Sequence, residues 1–234
     1  MYFLRKKEIP LTAFFTPAYV DIHSHLLPGI DDGAKNMEDA IALLLKMRSY
    51  GMHHFITTPH VMGSIYPNSS AVILQKLAEV QAALQEKGIA DIYITAAAEY
   101  LLDEVFSARL AAGDILVLKD RYILVEMSYF NAPIHLYEQL FQIQLKGYQP
   151  ILAHPERCAF YHQDFEQYYA LKKAGFGSGS KNYQVFFLHC STYISVQINS
   201  CFDRKKRIAV TEASLKAASC IPKIYLPFRS ASNT

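Results

Sequence analysis

The chain has 234 residues, of which 51% are hydrophobic and 19% charged, and its formal net charge is +2. These proportions exclude disorder as a description of the whole chain, and no apolar run is long enough to predict a membrane span. The length fits a single α/β barrel domain. The four cysteines have no C-x-x-C spacing, and Pro10 and Pro17 interrupt the apolar N-terminal run. We therefore expect no secretory signal peptide, and a reduced, cytoplasmic protein.

Strand-like and helical patterns alternate along the first 175 residues. Apolar runs predict strands at 18–22, 54–58, 91–97, 122–127 and 151–153. Helical spacing of apolar residues predicts helices at 38–50, from Ser69 or Ser70 to Gly88, and at 101–112, 136–146 and 164–173. Asn36 is the expected cap of the first helix. Five such strand–helix units predict a parallel sheet with helices outside it.

Each predicted strand ends in a histidine or an acidic residue. These residues are His23 and His25 after the first strand, His60 after the second, Glu99 and Glu126 after the third and fourth, and His154 after the fifth. Parallel strands bring their carboxyl ends to one face, which carries the active site in α/β barrels. Imidazoles and carboxylates are ligands for Zn, Mn or Fe. The pattern therefore predicts a metal centre, whereas His53, His54, His135, His162 and His189 are expected to be ordinary surface or loop residues.

A turn-rich loop at 28–33 follows the first strand and contains two adjacent acidic residues, Asp31 and Asp32. We expect one carboxylate to reach a metal over the barrel mouth and the other to cap or fix the loop. We take Asp32 as the ligand, although spacing alone does not distinguish the two.

The run at 21–34 resembles the opening of bacterial tyrosine phosphatases of the PHP superfamily, of the CpsB/CapC type. Motifs at 57–60, 97–99, 126 and 153–157 follow in that family's order. The resemblance covers residues 5 to about 176. It implies a distorted (β/α)7 TIM-like barrel and metal-dependent hydrolysis of phosphotyrosine on protein, linked to capsular and exopolysaccharide synthesis. It also implies two or three metal ions, with Mn²⁺ expected and Fe or Zn as alternatives.

The resemblance also implies a role for each matching residue. His23, His25 and Glu99 are implied to hold one metal; Glu99, Glu126 and His154 a second; and Asp32 with His60 a third. Arg157 is implied to bind the phosphate, for which its planar fork of donors is suited. The implied partner is a phosphotyrosine protein, expected to be a bacterial tyrosine autokinase. We expect no specific nucleic-acid partner, and a homo-oligomer remains open.

The resemblance fails after Gly175. Members of the family continue with two more barrel units and a final Asp-x-His motif, but residues 176–234 contain no such motif. That segment has eight Lys or Arg and only Asp203 and Glu212 as acids. We therefore predict an N-terminal extension (1–20), a partial barrel (21–176) and a divergent or frameshifted tail (177–234).

Two other functions remain open for such a chain. One is a small-molecule phosphoesterase that resembles histidinol phosphatases, and the other is an inactive remnant that binds metal. A Cys-x5-Arg spacing also joins Cys201 to Arg207, as in cysteine-based phosphatases. The bulky and charged side chains between them, Asp203 included, argue against a phosphate-binding loop there.

Overall fold

The computed structural model describes residues 15, 19–162, 164 and 166–174. The predicted tail, its Cys201 segment, His189 and most of the predicted N-terminal extension lie outside the described residues. Within these described ranges the chain forms seven short strands and five α-helices. The strands are β1 (Val20–Asp21), β2 (His54–Thr57), β3 (His60–Val61), β4 (Tyr93–Ala96), β5 (Glu99–Leu101), β6 (Tyr122–Glu126) and β7 (Gln149–Leu152). The helices are α1 (Met37–Ser49), α2 (Ser70–Glu86), α3 (Glu104–Ala112), α4 (Leu136–Leu145) and α5 (Glu166–Lys173).

All strand pairs are parallel and form two sheets, in the orders β1-β2-β4 and β3-β5-β6-β7. Only two residues separate β2 from β3, and only two separate β4 from β5. β2 and β3 therefore form one strand with a bend, and β4 and β5 form another. The Ala97 amide donates to the Thr57 carbonyl at 2.9 Å and the Glu99 amide to the Pro59 carbonyl at 3.0 Å, so hydrogen bonding continues through both bends. The structure thus has five successive parallel units, which confirms the predicted α/β class.

Helix starts follow local capping chemistry. The Asn36 side chain accepts a hydrogen bond from the Asp39 amide at 2.9 Å and begins α1, as predicted. The Ser69 hydroxyl accepts from the Val72 amide at 3.2 Å and begins α2. Both contacts satisfy amides that have no partner within the first turn of a helix.

The helix predicted at 101–112 begins later, at Glu104. Leu101 belongs to β5, and the Leu102 amide donates to the Glu126 carbonyl at 3.0 Å. Asp103 caps α3, since its carboxylate accepts from the Phe106 amide at 2.7 Å. The prediction was wrong there because the strand resumes after the bend at 97–98, which local apolar spacing does not reveal.

The core lies between the sheet and the helices, which pack their apolar faces against it. The buried residues of α1 are Ala40, Ile41 and Leu44, those of α2 are Ile73, Val80 and Leu84, and Phe55 and Ile94 contribute from the sheet. Burial of a large apolar side chain stabilises a fold by about 1.5–3 kcal/mol. This packed layer holds the carboxyl ends of the strands in fixed positions.

Candidate metal centre

Four imidazoles surround the carboxylate of Glu99, the first residue of β5, whose side chain is 0% exposed. Its Oε2 atom lies 3.2 Å from His23 Nε2, 3.3 Å from His25 Nε2 and 3.3 Å from His60 Nδ1. Its Oε1 atom lies 3.4 Å from His154 Nε2. We call these five residues, together with Glu126, the Glu99 cluster. The cluster joins residues from five successive parallel units. His23, His25, Glu126 and His154 lie at or just after the end of a strand, and His60 and Glu99 begin β3 and β5 directly after the two bends.

Glu126 and His154 come from the last two strands of the sheet. Glu126 ends β6, and its Oε1 atom lies 2.8 Å from His60 Nδ1. His154 follows β7 with a left-handed backbone, at φ 46°. This conformation costs a non-glycine residue about 1–3 kcal/mol and persists where the surrounding structure imposes it. Here it accompanies a side chain that contacts Glu99.

The two adjacent acidic residues of the 28–33 loop have different environments. The Asp31 side chain is fully buried, and its Oδ2 atom accepts hydrogen bonds from His25 Nδ1 at 2.7 Å and the His60 amide at 3.0 Å. Its Oδ1 atom accepts from the Gly33 amide at 3.0 Å. The Asp32 side chain is 64% exposed, and its Oδ1 atom lies 3.6 Å from His60 Nε2. Asp31 therefore fixes the loop, and Asp32 extends over His60 from the solvent side.

Asp31 orients His25 as well as the loop. Burial alone would raise the pKa of the Asp31 carboxyl, but the contacts with His25 and with the Gly33 and His60 amides lower it. The group is therefore a carboxylate, and His25 Nδ1 must be the donor. Such a contact directs the other ring nitrogen, Nε2, toward Glu99. Carboxylates often orient metal-binding histidines in this way.

The charges within the cluster shift several pKa values. Burial alone would raise the pKa of Glu99, yet the contacts with His154, His23 and His25 hold it well below its usual range. Burial raises the pKa of Glu126, and the negative charge of Glu99 adds to that rise against the opposing contact with His60. Burial disfavours the charged form of His25, but Asp31 and Glu99 raise its pKa to about 10. The centre is therefore anionic at Glu99 and cationic at His25.

Several buried polar atoms of the cluster approach one another without the geometry of a hydrogen bond, and they have no other hydrogen-bond partner among the described residues. They are both ring nitrogens of His23, both carboxylate oxygens of Glu99, His60 Nδ1 and Glu126 Oε1. A buried polar atom without a partner costs about 1–3 kcal/mol. Nitrogen and oxygen donors that converge without hydrogen bonding to each other form a coordination sphere suited to a divalent transition metal. The residues therefore fit the metal that the resemblance implies.

Among the described residues the donors form three groups, and within each group the ligand atoms lie within 4.8 Å of one another. The groups are His23, Glu99 and His154; His25, His60 and Glu99; and His25, Asp31 and Asp32. The structure thus brings all seven implied ligands to one face, and Glu99 belongs to two of the three groups. The pairing of His23 with His154, and of His25 with His60, differs from the division that the resemblance implies. Which residues bind which ion stays a prediction.

Arg157, the implied phosphate-binding residue, is exposed and ends the 3₁₀ turn Pro155–Arg157 that follows β7. Its Nη1 atom donates to the Tyr129 hydroxyl at 2.8 Å, and its guanidinium carbon lies 5.6 Å from the Tyr129 ring centroid. Sequence reasoning did not single out Tyr129. The available signal was its position three residues beyond Glu126, which matches the position of Arg157 three residues beyond His154.

A parallel α/β fold with imidazoles and carboxylates beside successive strands is typical of the class of α/β proteins that bind metal at one end of the sheet. Comparison with known proteins narrows this class. The chain belongs to the family described as capsular polysaccharide synthesis, CpsB/CapC, whose model matches residues 19–179. This membership confirms the resemblance that the sequence motifs indicated.

Two curated relatives are named as tyrosine phosphatases. The chain is 32% identical over 139 residues to tyrosine-protein phosphatase YwqE of Bacillus subtilis (strain 168), covering 59% of this chain and 54% of that protein. It is 28% identical over 158 residues to the putative tyrosine-protein phosphatase CapC of Staphylococcus aureus, covering 67% and 61%. The chain therefore spans little more than half the length of these relatives.

A solved structure matches with a TM-score of 0.61 at 30% identity, covering 67% of this chain and 64% of the matched chain. It comes from crystal structures of YwqE from Bacillus subtilis and CpsB from Streptococcus pneumoniae, described as unique metal-dependent tyrosine phosphatases. This match confirms the predicted fold class. Within the described part of the chain, no helix is both long and apolar enough to cross a membrane.

Proposed function

We propose that this chain is a metal-dependent phosphoester hydrolase that acts on phosphotyrosine in proteins and is linked to capsular or exopolysaccharide synthesis. The observation that carries the proposal is the Glu99 cluster, in which four imidazoles and two carboxylates converge at 2.8–3.4 Å and some of the buried atoms, those of His23 and Glu99 among them, have no hydrogen-bond partner among the described residues. The names of the relatives support the substrate class, and the description of the matched structure supports the need for metal.

The donor set assigns a role to each residue. His23, His25, His60 and His154 would supply nitrogen ligands, and Glu99, Glu126 and Asp32 would supply oxygen ligands. Bound metal supplies an activated water as nucleophile and positive charge for the phosphoryl oxygens. The surrounding imidazoles hold Glu99 in its charged form, and its two carboxylate oxygens would serve as ligands for bound metal. Asp31 keeps Nε2 of His25 directed toward Glu99.

Arg157 is the proposed phosphate ligand of the protein itself. A guanidinium binds phosphate through paired N–H groups and remains charged at any physiological pH. No cysteine takes part in this reaction scheme, in contrast to the Cys-x5-Arg phosphatases. We expect Mn²⁺ as the metal, with Fe and Zn as alternatives, and a tyrosine autokinase as the phosphotyrosine protein. A cytoplasmic location follows from that partner.

The test uses the full chain, first depleted of metal with a chelator and then reloaded with Mn²⁺, Fe²⁺ or Zn²⁺. Hydrolysis of a phosphotyrosine peptide should disappear on depletion and return with metal. His23→Ala should abolish metal binding and activity. His53→Ala should leave both unchanged, because His53 is half-buried near the start of β2 and contacts the Asp91 carbonyl at 2.9 Å, outside the Glu99 cluster. Full activity of the metal-free protein would refute the proposal.

The same preparation separates the other candidate functions. Cys201→Ser and thiol alkylation should leave activity intact, since water is the proposed nucleophile. Faster hydrolysis of histidinol phosphate than of the phosphotyrosine peptide would instead indicate a small-molecule phosphoesterase. Stoichiometric metal binding with no turnover of either substrate, even at millimolar Mn²⁺, would identify an inactive remnant.

A further inference from the structure

Two loops at the carboxyl ends of neighbouring strands meet at the side chains of Tyr129 and Arg157. Tyr129 lies three residues after Glu126, and Arg157 lies three residues after His154; Glu126 and His154 both belong to the Glu99 cluster. The Arg157 Nη1 atom donates to the Tyr129 hydroxyl at 2.8 Å, and the guanidinium lies over the ring at 5.6 Å. The phenol thus contacts the guanidinium through both its oxygen and its ring.

Two independent contacts restrict the arginine more than either does alone. A cation over an aromatic ring is attracted by the negative charge of the ring face. A hydrogen bond to a charged group is stronger than one between neutral groups, although solvent weakens both interactions at exposed sites. Tyr129 is 44% exposed, so solvent weakens both contacts here. A surface arginine loses side-chain freedom on binding phosphate, and the contacts with Tyr129 reduce that loss by restricting Arg157 beforehand.

The pair also lies within electrostatic reach of the cluster. Burial raises the pKa of the Tyr129 phenol, the contact with Arg157 opposes that rise, and the negative charges of Glu126 and Glu99 add to it. A guanidinium has five N–H donors, so one contact with Tyr129 does not use up the two that paired phosphate binding requires.

We propose that Tyr129 is a positioning residue that holds the guanidinium of Arg157 in place for the phosphate group of the substrate. This inference rests on the proposed function, because Arg157 is the phosphate ligand of that proposal. The opposite role is also physically conceivable: a tyrosine that competes with phosphate for Arg157. The two roles predict opposite signs when the hydroxyl is removed, so a binding experiment distinguishes them.

The experiment measures binding of inorganic phosphate to the metal-loaded full chain by calorimetry, and the KM for a phosphotyrosine peptide. Tyr129→Phe should weaken phosphate binding roughly three- to tenfold, the loss expected for one hydrogen bond, and raise KM by the same factor. Tyr129→Leu, which also removes the ring, should weaken binding further. Tyr50→Phe is the control, because Tyr50 is 41% exposed and lies under the Lys46 amine at the end of α1. It should change neither quantity.

A double-mutant cycle gives the readout that a purely structural role would not produce. In an Arg157→Ala background, Tyr129→Phe should have no further effect on phosphate binding, because the residue that Tyr129 positions is absent. Three results would overturn the inference. Tyr129→Phe could bind phosphate as tightly as the wild-type chain or more tightly, Tyr129→Phe could have its full effect in the Arg157→Ala background, or the wild-type chain could bind no phosphate. Phosphate binding with the expected coupling but without peptide hydrolysis would instead refute the proposed function and leave this inference standing.

Discussion

Replacement of Asp31 by asparagine tests how the loop at 28–33 supports the candidate metal centre. The Asp31 carboxylate is fully buried and accepts three hydrogen bonds, from His25 Nδ1, the His60 amide and the Gly33 amide. An asparagine of the same shape has only one accepting oxygen. If that oxygen takes the Oδ2 position, its amide nitrogen faces the Gly33 N–H. If the side chain is flipped, the nitrogen faces both His25 and His60.

The expected magnitude follows from the better of these two arrangements. The Gly33 amide loses its acceptor, which costs about 1–3 kcal/mol, and the contact with His25 loses its charged partner. Because hydrogen bonds to charged groups contribute about 1.5–3 kcal/mol against about 1 kcal/mol for neutral ones, the second loss adds about 1 kcal/mol. Asp31→Asn should therefore lower the free energy of unfolding by about 2–4 kcal/mol.

The assay is urea denaturation of the metal-free full chain, so that altered metal affinity does not enter the measurement. Asp32→Asn is the matched control: the residue is adjacent and chemically identical, but 64% exposed and 3.6 Å from His60 Nε2. It should change the free energy of unfolding by less than about 0.5 kcal/mol, as exposed substitutions usually do. With Mn²⁺ present, Asp32→Asn should nevertheless weaken metal binding. Equal destabilisation by the two variants would refute the assignment of the loop-fixing role to Asp31 alone.

Three further outcomes follow from the structure. Asp31 and Glu99 raise the pKa of His25 to about 10 against the effect of burial, so the free energy of unfolding of the metal-free chain should fall as the pH rises from about 6.5 to about 10, as measured by urea denaturation. Mn²⁺ should bind more tightly over the same pH range, because it competes with the His25 proton. Gly33→Ala should destabilise the chain by about 1–3 kcal/mol and reduce metal content, since a Cβ atom there would overlap the His25 carbonyl oxygen; unchanged stability and metal content would contradict that close approach. Ser69→Ala should cost about 0.5–2 kcal/mol by removing the cap of α2, while Ser49→Ala, at the exposed end of α1, should cost less.

Much of the fold could be predicted from the sequence because its determinants are local. Apolar spacing of two or 3.6 residues distinguishes strand from helix without knowledge of partners, and Asn36 and Ser69 cap helices through amides three residues away. The bends at 58–59 and 97–98 escaped prediction because each is a property of two paired strands. The third helix was consequently predicted to begin three residues too early.

The sequence by itself also determined which face would carry the chemistry. In a parallel sheet every strand ends on the same side. The residues that follow each predicted strand were therefore enough to predict that His23, His60, Glu99 and His154 lie close together. Only the tertiary structure decided how they meet. Only the packed sheet brings the rings of His23 and His154, 131 positions apart in the chain, to a centroid distance of 4.7 Å, and Glu99 to within 3.4 Å of four imidazoles.

The same distinction applies to Asp31, Asp32 and Tyr129. Two adjacent carboxylates have the same local chemistry, and only the path of the loop over His25 and His60 buries one and exposes the other. Tyr129 contacts Arg157 across 28 residues because β6 and β7 are neighbours in the sheet. Local sequence therefore selects the elements and the chemical groups, whereas burial and contact between distant groups depend on packing, because they are properties of the folded chain as a whole.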